Sequence, residues 1–510
     1  MFTPLDQRPP PTGAQDRRPH AAVIGSGLGG LAAAIRLGAR GYRVTVFEKL
    51  EQPGGRANVF RQDGFTFDAG PTIITAPFLL EELWALCGRK LSDDVELRAL
   101  DPFYDIRFDD GSVLTCSGDP ARMRDEVRRI SPSDVEGYDR FMAESEAIYR
   151  IGFEQLGHVP FGSPMDMLRI APDLLKLGAW RSVYAHVSAR VKHPKLRMAL
   201  SFHPLFIGGN PFKVTAIYSM IAFLEREFGV HAAIGGTGAL VTGMARLIAG
   251  QGGSIELSAG VDEITCSNGR ATGVKLSDGR EIDASVVVSN ADTAQTYIKL
   301  LRNAPRKRWT DQRLKKARYS MSLFVWYFGT NRKYENVKHH TIMMGPRYRE
   351  LLHDIFERKH LAEDFSLYLH RPTATDPSLA PEGCDSFYVL SPVPHQDSGI
   401  DWTKRAGRYR DAIAAHLEKT VMPGFRQHIV TEKLLTPIDF ENRLSSFKGA
   451  AFGLEPTLLQ SAWFRPNNRS EDVENLFIVG AGTHPGAGIP GVISSARILD
   501  SVVPDATAFA

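Results

Sequence analysis

Gly25, Gly27 and Gly30 stand in the order GxGxxG between the β-branched run Ala21-Ala-Val-Ile24 and the apolar repeat Leu31-Ala-Ala-Ala-Ile-Arg-Leu37. Glycines at this spacing bind a pyrophosphate through main chain alone. Gly25 permits the tight turn, Gly27 lets backbone N–H groups approach the phosphates, and Gly30 allows a helix to pack closely on a strand. Ser26 and Gly29 complete the loop, and the positive end of the helix dipole faces the anion. A second run, Arg43-Val-Thr-Val-Phe47, ends in Glu48 and Lys49. Glu48 falls about 20 residues after the glycines, where a carboxylate can accept both ribose hydroxyls. A chain with 46 glycines in 510 residues gives roughly 0.4 chance GxGxxG matches, so the acidic strand is what makes the pattern informative.

The elements that must position these groups are a strand, a turn, a helix and a second strand. NAD and FAD share that unit, and three further segments favour FAD. Pro53-Gly-Gly55-Arg56-Ala57 and Phe67-Asp-Ala-Gly70-Pro71-Thr72 resemble the second and third nucleotide-contacting motifs of amine-oxidase-like flavoproteins. A nicotinamide dehydrogenase would place a plain βαβ crossover there. The stretch from Gly260 to Ser289, with turn dipeptides Asn268-Gly269 and Asp278-Gly279, predicts a three-stranded β-meander. In the resembled flavoproteins the residue matching Val261 touches the adenine; a meander with a purely structural role gives the same pattern. Near the C-terminus, Gly480-Ala481-Gly-Thr-His-Pro-Gly-Ala-Gly-Ile-Pro-Gly491-Val492 puts five glycines into twelve residues between a strand and a helix. Such density implies close approach of backbone to a ligand, and Pro490 suits a helix first turn whose free N–H groups face negative charge.

Composition is that of a globular protein, 43% apolar and 23% charged, and a net charge of +3 argues against a nucleic-acid binder. Cys87, Cys116, Cys266 and Cys384 form no CxxC pair or His-spaced ligand set, so the expectation is a reduced cytoplasmic compartment and no metal site. No run of 18 apolar residues predicts a membrane span.

Together these segments resemble bacterial phytoene desaturases, especially those of purple photosynthetic bacteria. The likeness also covers Ser131 to Tyr138, Leu200 to Phe212, Gly235 to Leu240, Ser289 to Asp292, Met321 to Gly329 and Leu476 to Ala496. It implies FAD as the one firmly bound cofactor, phytoene and partly desaturated carotenoids as substrates, and a peripheral membrane protein with oxygen or a quinone as electron acceptor. No second GxGxxG-plus-acid unit holds NAD(P). Carried over by position, the family pattern makes Asp166 and Arg169 the polar pair near the reacting polyene, with Asp166 as base; at i, i+3 they also fit a surface helix pair. His484, in the glycine loop, is a further catalytic candidate or a structural residue.

The expected fold class is α/β. It comprises a Rossmann-type FAD-binding domain with a β-meander, an inserted α+β substrate domain and a helical membrane-associated subdomain. Its divisions are a tail at 1–20, FAD-binding parts at 21–110, 241–299 and 461–510, a helical subdomain at 111–240 and the substrate domain at 300–460. Met165 to Val187 is apolar with interleaved Arg and Lys, interrupted by Pro172 and Gly178. It suits either a membrane-surface helix or one facing the protein's own core. Ser322 to Gly329, apolar on both faces, either lines a tunnel or lies between two cores. Two competing functions fit the same motifs: a flavoenzyme acting on a downstream carotenoid, and a non-enzymatic prenyl-lipid carrier.

Overall fold

A computed structural model describes residues 16–509. Most of the expected N-terminal tail lies outside these residues, and its last position, His20, already begins the first strand.

The centre of the nucleotide half is a five-stranded sheet in the order Leu476–Ile478, Val286–Ser289, His20–Ile24, Arg43–Phe47, Ser254–Glu256. Every pair is parallel. Apart from the edge strand Ser254–Glu256, the strands are short, apolar and almost wholly buried, as parallel strands covered by helices must be. The helix Leu28–Ala39 crosses over one face and packs against Thr237–Gly250 and Ile489–Arg497. Its ten-residue stretch from Leu28 to Leu37 is wholly buried. The meander forms at Val261–Ser267, Arg270–Leu276 and Glu281–Asp283. The run expected as its third strand divides after Asp283: Val286–Ser289 leaves the meander and enters the parallel sheet beside His20–Ile24.

The second sheet has seven strands, ordered Ile429–Leu435, Ser322–Thr330, Asp385–Val393, Leu367–His370, His340–Met344, Tyr104–Phe108, Val113–Cys116. Tyr104–Phe108 lies within the segment assigned to the first FAD-binding part, yet it pairs in parallel with His340–Met344. A partner more than 200 residues away leaves no local trace in sequence. Ser322–Thr330 is buried at all nine positions. Leu323, Val325 and Tyr327 join one core, while Phe324, Trp326 and Phe328 join another on the opposite face. The period-2 alternation of side chains thus separates two cores, which is the second of the two readings open for this strand.

Between Pro120 and Phe228 the chain is mainly helical. The stretch from Met165 to Val187 makes two helices, Pro164–Lys176 and Val183–Ser188. Pro172 sits inside the first without ending it; Gly178, at φ +68°, lies in the break. No residue of Pro164–Lys176 is buried. That outcome does not fit a helix turned toward the protein's own core.

Candidate functional site

Four chain segments spread over about 450 residues converge at the C-terminal ends of the parallel strands, where ligands of open α/β sheets bind. Gly25 takes φ +87° and its N–H donates to Phe47 O, which closes the first turn. A methyl group built on Gly30 would fall 2.1 Å from Gly25 O, so only glycine lets the helix approach this closely. On Gly29 it would fall 3.1 Å from the Gly480 backbone, and on Gly55 it would fall 3.2 Å from Gly27 Cα. Gly27 caps the helix Leu28–Ala39 without any side-chain hydrogen bond, so the first-turn N–H groups keep their capacity for an anion.

Glu48 is buried and already organised. One carboxylate oxygen accepts from Ser26 N at 2.8 Å and Ser26 Oγ at 2.7 Å; the other accepts from Leu50 N at 2.9 Å. The oxygen that accepts from Leu50 N retains acceptor capacity, because a carboxylate has about four lone-pair sites and three are taken. Beside it, Lys49 Nζ donates to Ser445 Oγ at 2.6 Å. Val261 begins the meander half-buried, opposite Leu276.

Gly70 is held by the same logic as Gly30: a side chain there would meet Arg56 O at 1.8 Å. Pro71 O accepts from Thr237 Oγ1 at 3.2 Å, and Thr72 Oγ1 lies 2.6 Å from Tyr388 OH and 3.0 Å from Tyr368 OH. The Arg56 guanidinium donates to Ser446 Oγ at 2.9 Å, and its Nε has no partner. Burial pulls its pKa down, and the Asp292 carboxylate nearby pulls it back up.

The C-terminal loop supplies the fourth wall. Gly480 takes φ +94° and its N–H donates to Ser495 Oγ at 2.8 Å; a methyl on Gly491 would fall 2.5 Å from Gly486 O. Gly488 caps the helix Ile489–Arg497 at φ +93° without a side-chain bond, with Pro490 in the first turn. Val492 N donates back to Gly488 O. This is a second helix N-terminus aimed into the same region.

Three residues that sequence reasoning did not single out hold these walls together. The Asn290 amide sits among Gly27, Gly29 and Gly480, within 2.6 to 2.8 Å of where their side chains would begin. Arg465, 1% exposed, donates to Ala481 O at 3.2 Å while its Nε is unpartnered. Asn468 Nδ2 donates to His484 O at 3.0 Å. Arg465 and Asn468 lie in a stretch without a motif, so only the fold brings them to the loop. Asn290 sits in a quoted likeness segment, where its amide carries no distinguishing pattern.

A cradle of closely packed glycines, two unsatisfied helix starts, an organised carboxylate and an enclosed guanidinium with a free N–H together fit a dinucleotide with a pyrophosphate. These residues would hold FAD: Gly25 to Gly30 at the phosphates, Glu48 at the ribose, and Arg56 and the Gly480–Gly491 loop toward the flavin end.

Of the catalytic candidates, Asp166 and Arg169 fall elsewhere, while His484 belongs to the glycine loop itself. Asp166 is the third residue of the helix Pro164–Lys176, and one of its oxygens accepts from Ser163 N at 2.9 Å and Ser163 Oγ at 3.1 Å. Its other oxygen is 3.7 Å from Arg169 Nη1, on a side chain that is 76% exposed. His484 is buried, its Nε2 lies 3.0 Å from Leu156 O, and its ring meets Phe161 edge-on at 4.7 Å. Burial lowers its pKa to about 4, so the neutral ring donates Nε2–H to that carbonyl and ties the glycine loop to the Leu156 turn. Phe161, which touches His484, is five residues before Asp166. The two candidate sites are therefore joined by chain, though no contact brings Asp166 to His484.

The family model of flavin-containing amine oxidoreductases matches residues 28–498. A neurosporene-forming phytoene desaturase of Cereibacter sphaeroides is 53% identical over 491 residues, covering 95% of both chains. A lycopene-forming phytoene desaturase of Pseudescherichia vulneris is 51% identical, covering 94% of this chain and 98% of the relative. Among solved structures, a putrescine oxidase aligns with a TM-score of 0.66 at 14% identity, over 96% of this chain and 99% of the other, and supports the fold. The chain therefore belongs to the flavin-containing amine oxidoreductase family, within its bacterial phytoene desaturase group.

Proposed function

We propose that this chain is an FAD-dependent desaturase that lengthens the conjugated polyene of phytoene stepwise to neurosporene or lycopene. The observation that carries this reading is near-full-length identity of about half with desaturases forming each of those products. The cradle described above supports it, because a protein that merely carried a prenyl lipid would need neither the glycine contacts nor the organised Glu48.

When bound, FAD supplies the acceptor for a hydride leaving one carbon of the bond being desaturated. The remaining work belongs to the chain. Arg56 and the two helix N-termini fix and neutralise the cofactor, and the apolar sheet faces exclude water. A proton must leave the adjacent carbon, and Asp166 is the proposed acceptor: its oxygen nearest Arg169 is the one not occupied by Ser163.

Phytoene is a C40 hydrocarbon held in lipid by about 0.8 kcal/mol per buried CH₂, so the enzyme must reach a membrane surface. No helix among the described residues is long and apolar enough to cross one. The proposed contact is the helix Pro164–Lys176 and the turn after it. Met165, Leu168, Leu175 and Trp180 are each more than half exposed there, between Arg169, Lys176 and Arg181. Apolar side chains with basic neighbours on one short helix are what a headgroup layer accepts. The proposed location is the cytoplasmic face of the membrane, and the proposed electron acceptor is oxygen or a membrane quinone.

The test is incubation of the purified protein with phytoene liposomes and FAD, without nicotinamide cofactor, followed by chromatography of the pigments. Coloured polyenes are expected. A strict need for NAD⁺, or untouched phytoene with the flavin fully bound and both acceptors supplied, would overturn the reading. Turnover only of an already coloured carotenoid would replace it with the downstream flavoenzyme.

A further inference from the structure

Three imidazoles are gathered in the second sheet for which the proposed desaturation has no use. His340 begins the strand His340–Met344 and pairs directly with His370, the last residue of Leu367–His370; His339 precedes it. The sequence shows no ligand spacing because His370 is 30 residues away and arrives through strand pairing. His340 and His370 are 0% and 1% exposed, and His339 is 8% exposed. We propose that His339, His340 and His370 form a binding site for a divalent first-row transition ion of the zinc type, outside the cofactor cradle.

The ring nitrogens carry the argument. One potential ligand atom from each of the three histidines lies within 4.8 Å of the others. Nε2 of His339 and Nε2 of His370 are 3.2 Å apart. Two nitrogens bound tetrahedrally at about 2.0 to 2.1 Å from zinc would be separated by roughly 3.3 Å. His340 Nε2 is buried without a partner. The opposite nitrogens of two rings are anchored: His339 Nδ1 is 2.6 Å from Thr375 Oγ1, and His340 Nδ1 is 2.7 Å from Tyr368 OH. A metal-binding histidine has this arrangement, one nitrogen fixed by an outer partner so that the other offers its lone pair.

A simple N–H···N bond between His339 and His370 satisfies that pair but leaves His340 Nε2 unpaired, a loss of about 1 to 3 kcal/mol for a buried polar group. A cation held among the three rings would give His340 Nε2 a partner as well, leaving the buried His370 Nδ1 as the unpaired ring nitrogen of the cluster. The cavity beside His339 and His370 is also walled by Asp68 and Asp376, which supply negative charge and leave room for a fourth ligand such as water. Tyr368 OH meets Thr72 as well as His340, so the ion would brace Thr72 of the Gly70-Pro71-Thr72 motif through one side chain.

The experiment uses full-length, FAD-loaded protein prepared without a histidine tag. Elemental analysis after dialysis should find about one zinc per chain, and His340→Gln or His370→Gln should lower it at least tenfold with the flavin content retained. Cobalt exchange should add a visible ligand-field band on the red side of the flavin absorption, absent from both variants. Because a ligand substitution could unfold the sheet, Thr375→Val provides a milder arm: all ligands stay, and zinc affinity should fall about tenfold. Absence of zinc together with failure to take up added Zn²⁺ or Co²⁺ would overturn the proposal. So would metal content unchanged in the variants. Neither result depends on desaturase activity, so this proposal and the functional one fail separately.

Discussion

The cofactor cradle and the helix Pro164–Lys176 are opposite solutions to binding an apolar or anionic partner. In the cradle, backbone does the work: Gly30 and Gly70 are confined by carbonyl oxygens 2.1 and 1.8 Å from where a side chain would start. Every wall there is fixed from behind by a residue from another part of the chain. In the helix, nothing is buried, and the apolar side chains Leu168 and Leu175 point away from the protein. The cradle's walls pack on one another, whereas the helix has a face that none of the described residues covers. One region is defined by what the chain excludes, and the other by what it leaves uncovered.

The largest effect that sharpens this contrast separates two glycines three residues apart. Gly30→Val puts a branched side chain against the Gly25 carbonyl, a backbone atom that cannot rotate aside; overpacking of this kind costs about 3 kcal/mol or more. Soluble yield should collapse. At Gly27 the nearest atom is the end of the Asn290 side chain, 2.8 Å away and movable. Gly27→Val should therefore fold, with an unchanged far-ultraviolet circular dichroism spectrum, and purify colourless because the side chain fills the pyrophosphate space. Flavin retained by a folded Gly27→Val protein would break the assignment of this loop.

These two regions also differ in how legible they are in sequence. The positions of Gly25, Gly27, Gly30 and Glu48 follow from steric and electrostatic requirements local to about 25 residues, so their spacing can be read directly. The parallel unit formed from those residues likewise follows from the β-branched runs around them. Asn290 and Arg465 act through contacts made only when distant strands assemble, and nothing in their neighbours marks them. The transfer of Val286–Ser289 from the meander to the parallel sheet, and of Tyr104–Phe108 to the second sheet, were hidden for the same reason. The helix was ambiguous for another cause: apolar residues with basic neighbours read the same whether they face a core or a bilayer. Only the fold shows that, among the described residues, no core covers them.

The next effect tests the uncovered face. A variant with Arg169, Lys176 and Arg181 all changed to Gln removes three basic groups, each worth about 1 kcal/mol near an anionic surface. Co-sedimentation with anionic liposomes should weaken about 100-fold, with flavin content unchanged. Binding to neutral liposomes should change far less, since the exposed Met165, Leu168, Leu175 and Trp180 remain. Binding of the folded variant to anionic liposomes as tight as that of the unaltered protein would move the membrane face elsewhere and remove one side of the comparison.

The smallest effect lies within the cradle, at Glu48. Its two oxygens accept from Ser26 N, Ser26 Oγ and Leu50 N. Glu48→Gln keeps the shape but turns one oxygen into an NH₂ group, so either the Ser26 or the Leu50 backbone N–H then faces a donor. The ribose also loses a charged acceptor. A hydrogen bond to a charged group contributes about 1.5 kcal/mol at the low end, so FAD should bind about tenfold more weakly. Because the ribose is remote from the reacting carbons, kcat at saturating FAD should stay within about twofold of the unaltered enzyme. The pair of measurements is a titration of FAD into the flavin-free protein and turnover at excess FAD. A large loss of kcat with unchanged FAD affinity would mean that Glu48 acts on the chemistry, and that the cradle is not the purely positional device its backbone geometry describes.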